Sequence, residues 1–213
     1  MVEHYTIVDG IIDLLGITPA FLIGIFLLGI LLFLVYSRNN GVAEVRIAVA
    51  SFVLYYYLWI LFRNVVGIPT FQECMEMTAR GNGIFHPSFN WIPLVDGLNF
   101  GFVMNIFIFA PLGFLVPFIS RTFERVEKVM ILGFGLTLLI EISQMFTMYR
   151  VSDIDDILTN VLGTILGYMM FRLMAKAKWV RMYSKSKLMP KNPLINWLPI
   201  IVIGMTFIIA FWG

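Results

Sequence analysis

Glu141, Ser143 and Gln144 close one apolar segment, and the polar link Tyr149-Arg150-Val151-Ser152-Asp153-Ile154-Asp155-Asp156 follows them. A second apolar segment then opens with Asn160, Gly163 and Gly167. Carboxylates gathered beside an arginine can hold a ligand or move a proton. At the edge of hydrocarbon they persist only when paired, hydrated or neutralised, so the cluster is read first as a functional site. On helical spacing Glu141, Gln144 and Met148 share one face, and Asp153, Asp156, Asn160, Gly163 and Gly167 share another. Glu141 and Asp156 are the candidate general acid and base. Arg63 and Arg150 would hold a phosphate or carboxylate, Asn105, Gln144, Asp153 and Asn160 would position the ligand, and His86 would shuttle a proton. A hard divalent cation on Glu141, Asp153 and Asp156 would suit phosphate chemistry. No ligand spacing, however, specifies a metal or a cofactor.

Some of these residues also have plain structural uses. Ser152 is spaced to cap a helix, with Asp155 three positions on completing a capping box, and Asp153 and Asp156 suit the positive end of a helix. Arg150 with Asp153 or Asp156 would make an interhelical lock. Glu141 has no such use, since it lies about two turns inside its segment. Gly163 and Gly167, like Gly133 and Gly135, suggest close helix packing. No nucleophile is supported: Ser143 and Ser152 have no histidine in helical reach, and Cys74 falls in an acidic loop.

The composition determines what must position these groups. The chain of 213 residues is 60% hydrophobic and only 13% charged, with a mean hydropathy of +0.88, which a soluble core cannot absorb. The fold expected is an all-α, multi-pass transmembrane bundle, one membrane domain over 1–213. Its spans of roughly 20 residues each lie near 17–36, 45–66, 100–119, 128–148, 155–174 and 194–212. Pro111 and Pro117 should kink or break the third span, leaving carbonyls for neighbours to satisfy. The connection 67–99, between the second and third spans, has an aromatic second half expected to cap the bundle at the membrane surface. The first thirteen residues carry Glu3, Asp9 and Asp13 and no Lys or Arg, so no cleavable signal pattern is expected. One cysteine excludes an intrachain disulfide framework.

Twelve of the fifteen Lys and Arg fall on alternate connections, at Arg38 and Arg46, at Arg121, Arg125 and Lys128, and along Arg172 to Lys191. Positive residues stay cytoplasmic, so both termini are expected outside the cell membrane. Arg63, the 67–99 cap, Asn105, Glu141, Gln144 and 150–160 then share the outer end. Nucleic-acid binding would need a soluble basic domain, which the chain lacks.

Asn105-Ile-Phe-Ile-Phe-Ala-Pro111-Leu-Gly113-Phe-Leu-Val-Pro117, then Glu141-Ile-Ser-Gln144, Arg150-Val-Ser-Asp153-Ile-Asp155-Asp156 and Asn160-Val-Leu-Gly163-Thr-Ile-Leu-Gly167 resemble the VanZ-like membrane protein family. Asn90-Trp91-Ile92-Pro93 resembles a weaker motif of that family. The likeness covers about 60–175, with 17–36 and 194–212 as accessory spans. It implies a bacterial cell-envelope role and tolerance to glycopeptide antibiotics, teicoplanin in particular, without supplying a reaction. Three readings follow: an enzyme, a binder of a lipid-linked cell-wall precursor or membrane lipid headgroup, and a scaffold whose charges lock helices for a protein partner.

Overall fold

The computed structural model describes residues 16–37, 45–94, 97–147, 152–176 and 194–213. The long apolar runs become helices: α1 (Pro19–Ser37), α2 (Val45–Ile60), α4 (Phe100–Ile119), α5 (Val126–Gln144), α6 (Ile154–Lys176) and α7 (Leu194–Trp212). A shorter α3 (Phe71–Ala79) lies in the connection between α2 and α4. The same connection continues to the two-residue strand β1 (Phe89–Asn90), which pairs in parallel with β2 (Ser152–Asp153).

Five helices are long and apolar enough to cross a membrane, namely α1, α2 with its extension to Val65, α4, α6 and α7. This is one fewer than the six spans expected. The remaining helix, α5, is as long as α1 but carries Glu127, Lys128 and Glu141, which dilute its hydropathy. It nevertheless packs along α6 in the bundle. Large apolar side chains face outward, among them Leu22, Phe26 and Phe33 on α1 and Leu162, Leu166 and Leu173 on α6, as a lipid-facing surface requires.

Helices α4 and α6 make the most extensive contact, and small residues explain it. A β-carbon on Gly163 would overlap the Ile106 carbonyl, one on Gly167 the Ala110 carbonyl, and one on Gly113 the Thr164 carbonyl. The two backbones therefore touch directly. Gly133 is likewise filled by the Thr164 side chain, but Gly135 faces open space and has no packing role. Helix α4 runs through Pro111 and Pro117 without breaking. The Tyr57 hydroxyl donates to the Ile108 carbonyl at 2.9 Å, next to the Phe107 carbonyl that Pro111 leaves without its helical amide.

Around the second half of the core, α7 packs on α2 and α1. Tyr55 donates to the Phe21 carbonyl at 3.0 Å, and the Trp59 indole to the Gly16 carbonyl at 2.6 Å. Helix α2 ends in a π-turn, Leu61–Val65, marked by Val66 N donating to Leu61 O at 2.8 Å. The alternation of helices brings to one end the start of α1, the ends of α2, α5 and α7, and the starts of α4 and α6. The 3₁₀ turn Arg121–Phe123 lies at the other end.

Candidate functional site

Three helices converge on the acidic residues. Glu141 lies in the last turn of α5, not two turns inside it, because the helix ends at Gln144; it is 3% exposed, and its Oε2 accepts the Asp153 amide at 3.2 Å. The carboxylates of Asp156 and Asp153 lie within electrostatic reach of it. Asp156, in the first turn of α6, accepts the Asn105 side-chain amide of α4 at 2.6 Å. One turn further down, the Asn160 amide donates to the Thr137 hydroxyl of α5 at 2.9 Å. Asn160 is 4% exposed, and its Oδ1 has no partner among the described residues. A buried amide acceptor left open in this way is unusual, and it leaves a hydrogen-bonding position inside the bundle for another group.

The 83–94 segment closes over these residues. His86 N donates to Met145 O at 2.8 Å, and Ser152 N to Ser88 O at 2.9 Å. The Asn90 side chain donates to Asp153 Oδ2 at 3.1 Å, and the Asp155 carboxylate accepts the Leu94 amide at 2.9 Å. Asn90 and Thr137 therefore belong to the site, although neither stands out as a site residue in the sequence. The motif Asn90-Trp91-Ile92-Pro93 was the available signal for Asn90, whereas Thr137 reads as an ordinary polar residue in an apolar run.

Ser152 does not cap α6. Its hydroxyl donates to the Glu141 carbonyl at 3.0 Å because β2 holds it against α5. Asp153 takes the capping role, its Oδ1 accepting the Asp155 amide at 2.9 Å. Asp155 faces the 83–94 segment instead of completing a capping box. A capping box does exist earlier, on α3: Thr70 Oγ accepts the Glu73 amide at 3.1 Å, and Glu73 accepts the Thr70 amide at 2.7 Å. Cys74 thus sits on a helix rather than in a loop. Burial, with the Glu73 charge adding to it, pushes its thiol pKa above the usual value.

Two expected ligand-binding residues point elsewhere. Gln144 donates to the Val66 carbonyl at 3.3 Å, tying α5 to the chain after the π-turn. Arg63 lines a different cavity, with Glu73, Glu76, Arg80 and Thr147; it sits in the π-turn and donates to the Ala210 carbonyl of α7. His86 is engaged locally, its Nε2 donating to the Gly83 carbonyl at 2.6 Å. Arg150, and with it the proposed lock to Asp153 or Asp156, lies outside the described residues, as does Met148. Among the described residues no group of three His, Cys, Asp or Glu is gathered tightly enough to hold a metal ion. Of the three acids proposed for a cation, Glu141 accepts the Asp153 amide, and the Asp153 and Asp156 carboxylates accept from Asn90 and Asn105.

A family model described as VanZ/LLP1 matches residues 20–175, taking in α1 as well as the motifs of α4 to α6. No curated protein and no solved structure matches the chain.

Proposed function

The chain belongs to the VanZ/LLP1 family, and from that premise we propose that it is an envelope protein whose acid and amide site takes up a polar headgroup. The headgroup is that of a lipid-linked cell-wall precursor or of a membrane lipid, and its capture lowers sensitivity to glycopeptides such as teicoplanin. The observation that carries this reading is Glu141, buried at the meeting of three helices beside Asp156 and Asn105. Carboxylates and amides in that arrangement offer acceptors and donors to hydroxyl- or amine-bearing groups. The open Oδ1 of Asn160 adds one more acceptor below them. Twelve of fifteen basic residues at the opposite connections support an outward orientation for this end.

A second reading has its own support. Asp153, Asp155 and Asp156 already accept hydrogen bonds from Asn90, Leu94 and Asn105, as a purely interhelical scaffold would require. The test is to express Glu141→Gln and Asn160→Ala and compare membrane yield with teicoplanin susceptibility. Loss of tolerance at normal yield supports a ligand site, and loss of yield in both supports the scaffold. Incubating the purified protein with envelope lipids and precursors then separates catalysis from binding. A new mass species would assign Glu141 and Asp156 acid and base roles, and retention of unmodified ligand would assign binding alone.

A further inference from the structure

We infer that the same end of the bundle carries a second, separate site for one anionic phospholipid, with its phosphate at Arg63 and an acyl chain in the groove beneath α3. Arg63 is half-buried at the end of α2, and among the described residues no carboxylate lies within ion-pair distance of it. Its hydrogen bond among the described residues is long, 3.4 Å to the Ala210 carbonyl at the end of α7. The acids sharing its cavity are engaged with other groups. Glu73 accepts the Thr70 amide at 2.7 Å, and Glu76 pairs with Arg80 at 3.5 Å and accepts from Gln72 at 3.0 Å. A guanidinium so placed has no directly paired carboxylate, shares its cavity with a second cation, Arg80, and suits a phosphate, which it can grip with two parallel donors.

The cavity has a volume of 390 Å³, and next to it lies an almost wholly apolar groove of 520 Å³. The two share Ile68, Pro69 and Phe146 as a common wall. Both fall in the range of about 300–1,000 Å³ typical of small-molecule sites. Phe71, Met75 and Ile142 line the groove and are exposed, so it is open to an acyl chain from the surrounding bilayer. Charge at one end and hydrocarbon at the other, joined by a shared wall, fit an amphiphile better than a free anion. Neither cavity is lined by Glu141, Asp153 or Asp156.

Native mass spectrometry of the full chain, released from bilayers of mixed phosphatidylglycerol and phosphatidylcholine, tests this. One phosphatidylglycerol should be retained. Arg63→Gln should lower the preference for it about tenfold, as loss of one charge-assisted contact predicts, while Arg63→Lys, which keeps the charge but not the parallel donors, should retain part of the preference. Met75→Trp, which fills the groove, should reduce occupancy by either lipid. Gly135→Ala, which faces open space, should leave lipid retention unchanged; lipid lost in Glu141→Gln but kept in Arg63→Gln belongs to the acid site, so failure of the two sites is read apart. The proposal is overturned if Arg63→Gln only lowers thermal stability, as a mere cap on α7 would. It is also overturned if Met75→Trp has no effect, if Arg63→Lys loses the preference, or if inorganic phosphate alone displaces the lipid fully. Should Arg63→Gln fail to fold, the Arg63→Lys and Met75→Trp outcomes decide.

Discussion

At the scale of single residues, the acid site separates charge from shape. In Glu141→Gln the amide oxygen can still accept the Asp153 amide, so thermal stability should change by no more than about 1 kcal/mol. Tolerance to teicoplanin should fall to the level of a deletion strain, read as a minimum inhibitory concentration. Asn105→Ala removes a 2.6 Å bond to a carboxylate and should cost about 1.5–3 kcal/mol in unfolding measurements. Cys74 provides a chemical probe. With its thiol pKa raised by burial and then by Glu73, maleimide labelling should rise at a higher pH than for a free thiol. Glu73→Gln, by removing the adjacent charge, should move that rise to lower pH; an unmoved profile would deny Glu73 its part. Glu141 and Asp156 were legible as partners because helix spacing alone puts each on an inward face. Arg63 is legible as a cation at this end of the bundle but not in its place, since spacing cannot tell which of two neighbouring pockets an arginine enters.

At the scale of elements, the α4–α6 contact is the firmest. Gly167→Leu would drive a side chain into the Ala110 carbonyl, and overpacking of this kind typically costs about 1–3 kcal/mol, more where backbone must move. The variant should lose folded protein on heating in detergent. Gly135→Ala, facing open space, should behave as the unmodified chain. Both glycines look alike in the sequence, because a small residue in an apolar run states that close approach is allowed, not that it occurs. Helix α3 was readable in principle from Thr70 and Glu73, the spacing of a capping box. Hydropathy passes over it because its few apolar residues belong to an amphipathic surface helix rather than to a span. The β1–β2 pairing joins residues more than sixty positions apart, and such long-range partners leave no local trace.

At the scale of the molecule, charge placement predicts which end faces out. In a Cys74→Ser background, Asn82→Cys should react with a membrane-impermeant maleimide on intact cells. Thr122→Cys should react only after permeabilisation. The reverse pattern would put the acid site on the cytoplasmic side and end the glycopeptide reading. The all-α bundle followed directly from hydropathy, with α5 as the exception, since Glu141 is both its defining residue and a reason it is less apolar than its neighbours. The π-turn at Leu61–Val65 has one more consequence. Such a turn is an ordinary helix holding one surplus residue, so excising a single position between Ile60 and Val66 would restore regular winding. Were the lost position Leu61 or Phe62, ahead of Arg63, the guanidinium would shift round the helix axis by up to roughly a hundred degrees and leave its cavity with its chemistry unaltered, while the chain beyond the turn keeps its place. The phase of the helix, as much as the identity of the side chain, decides whether that cation has anything to meet.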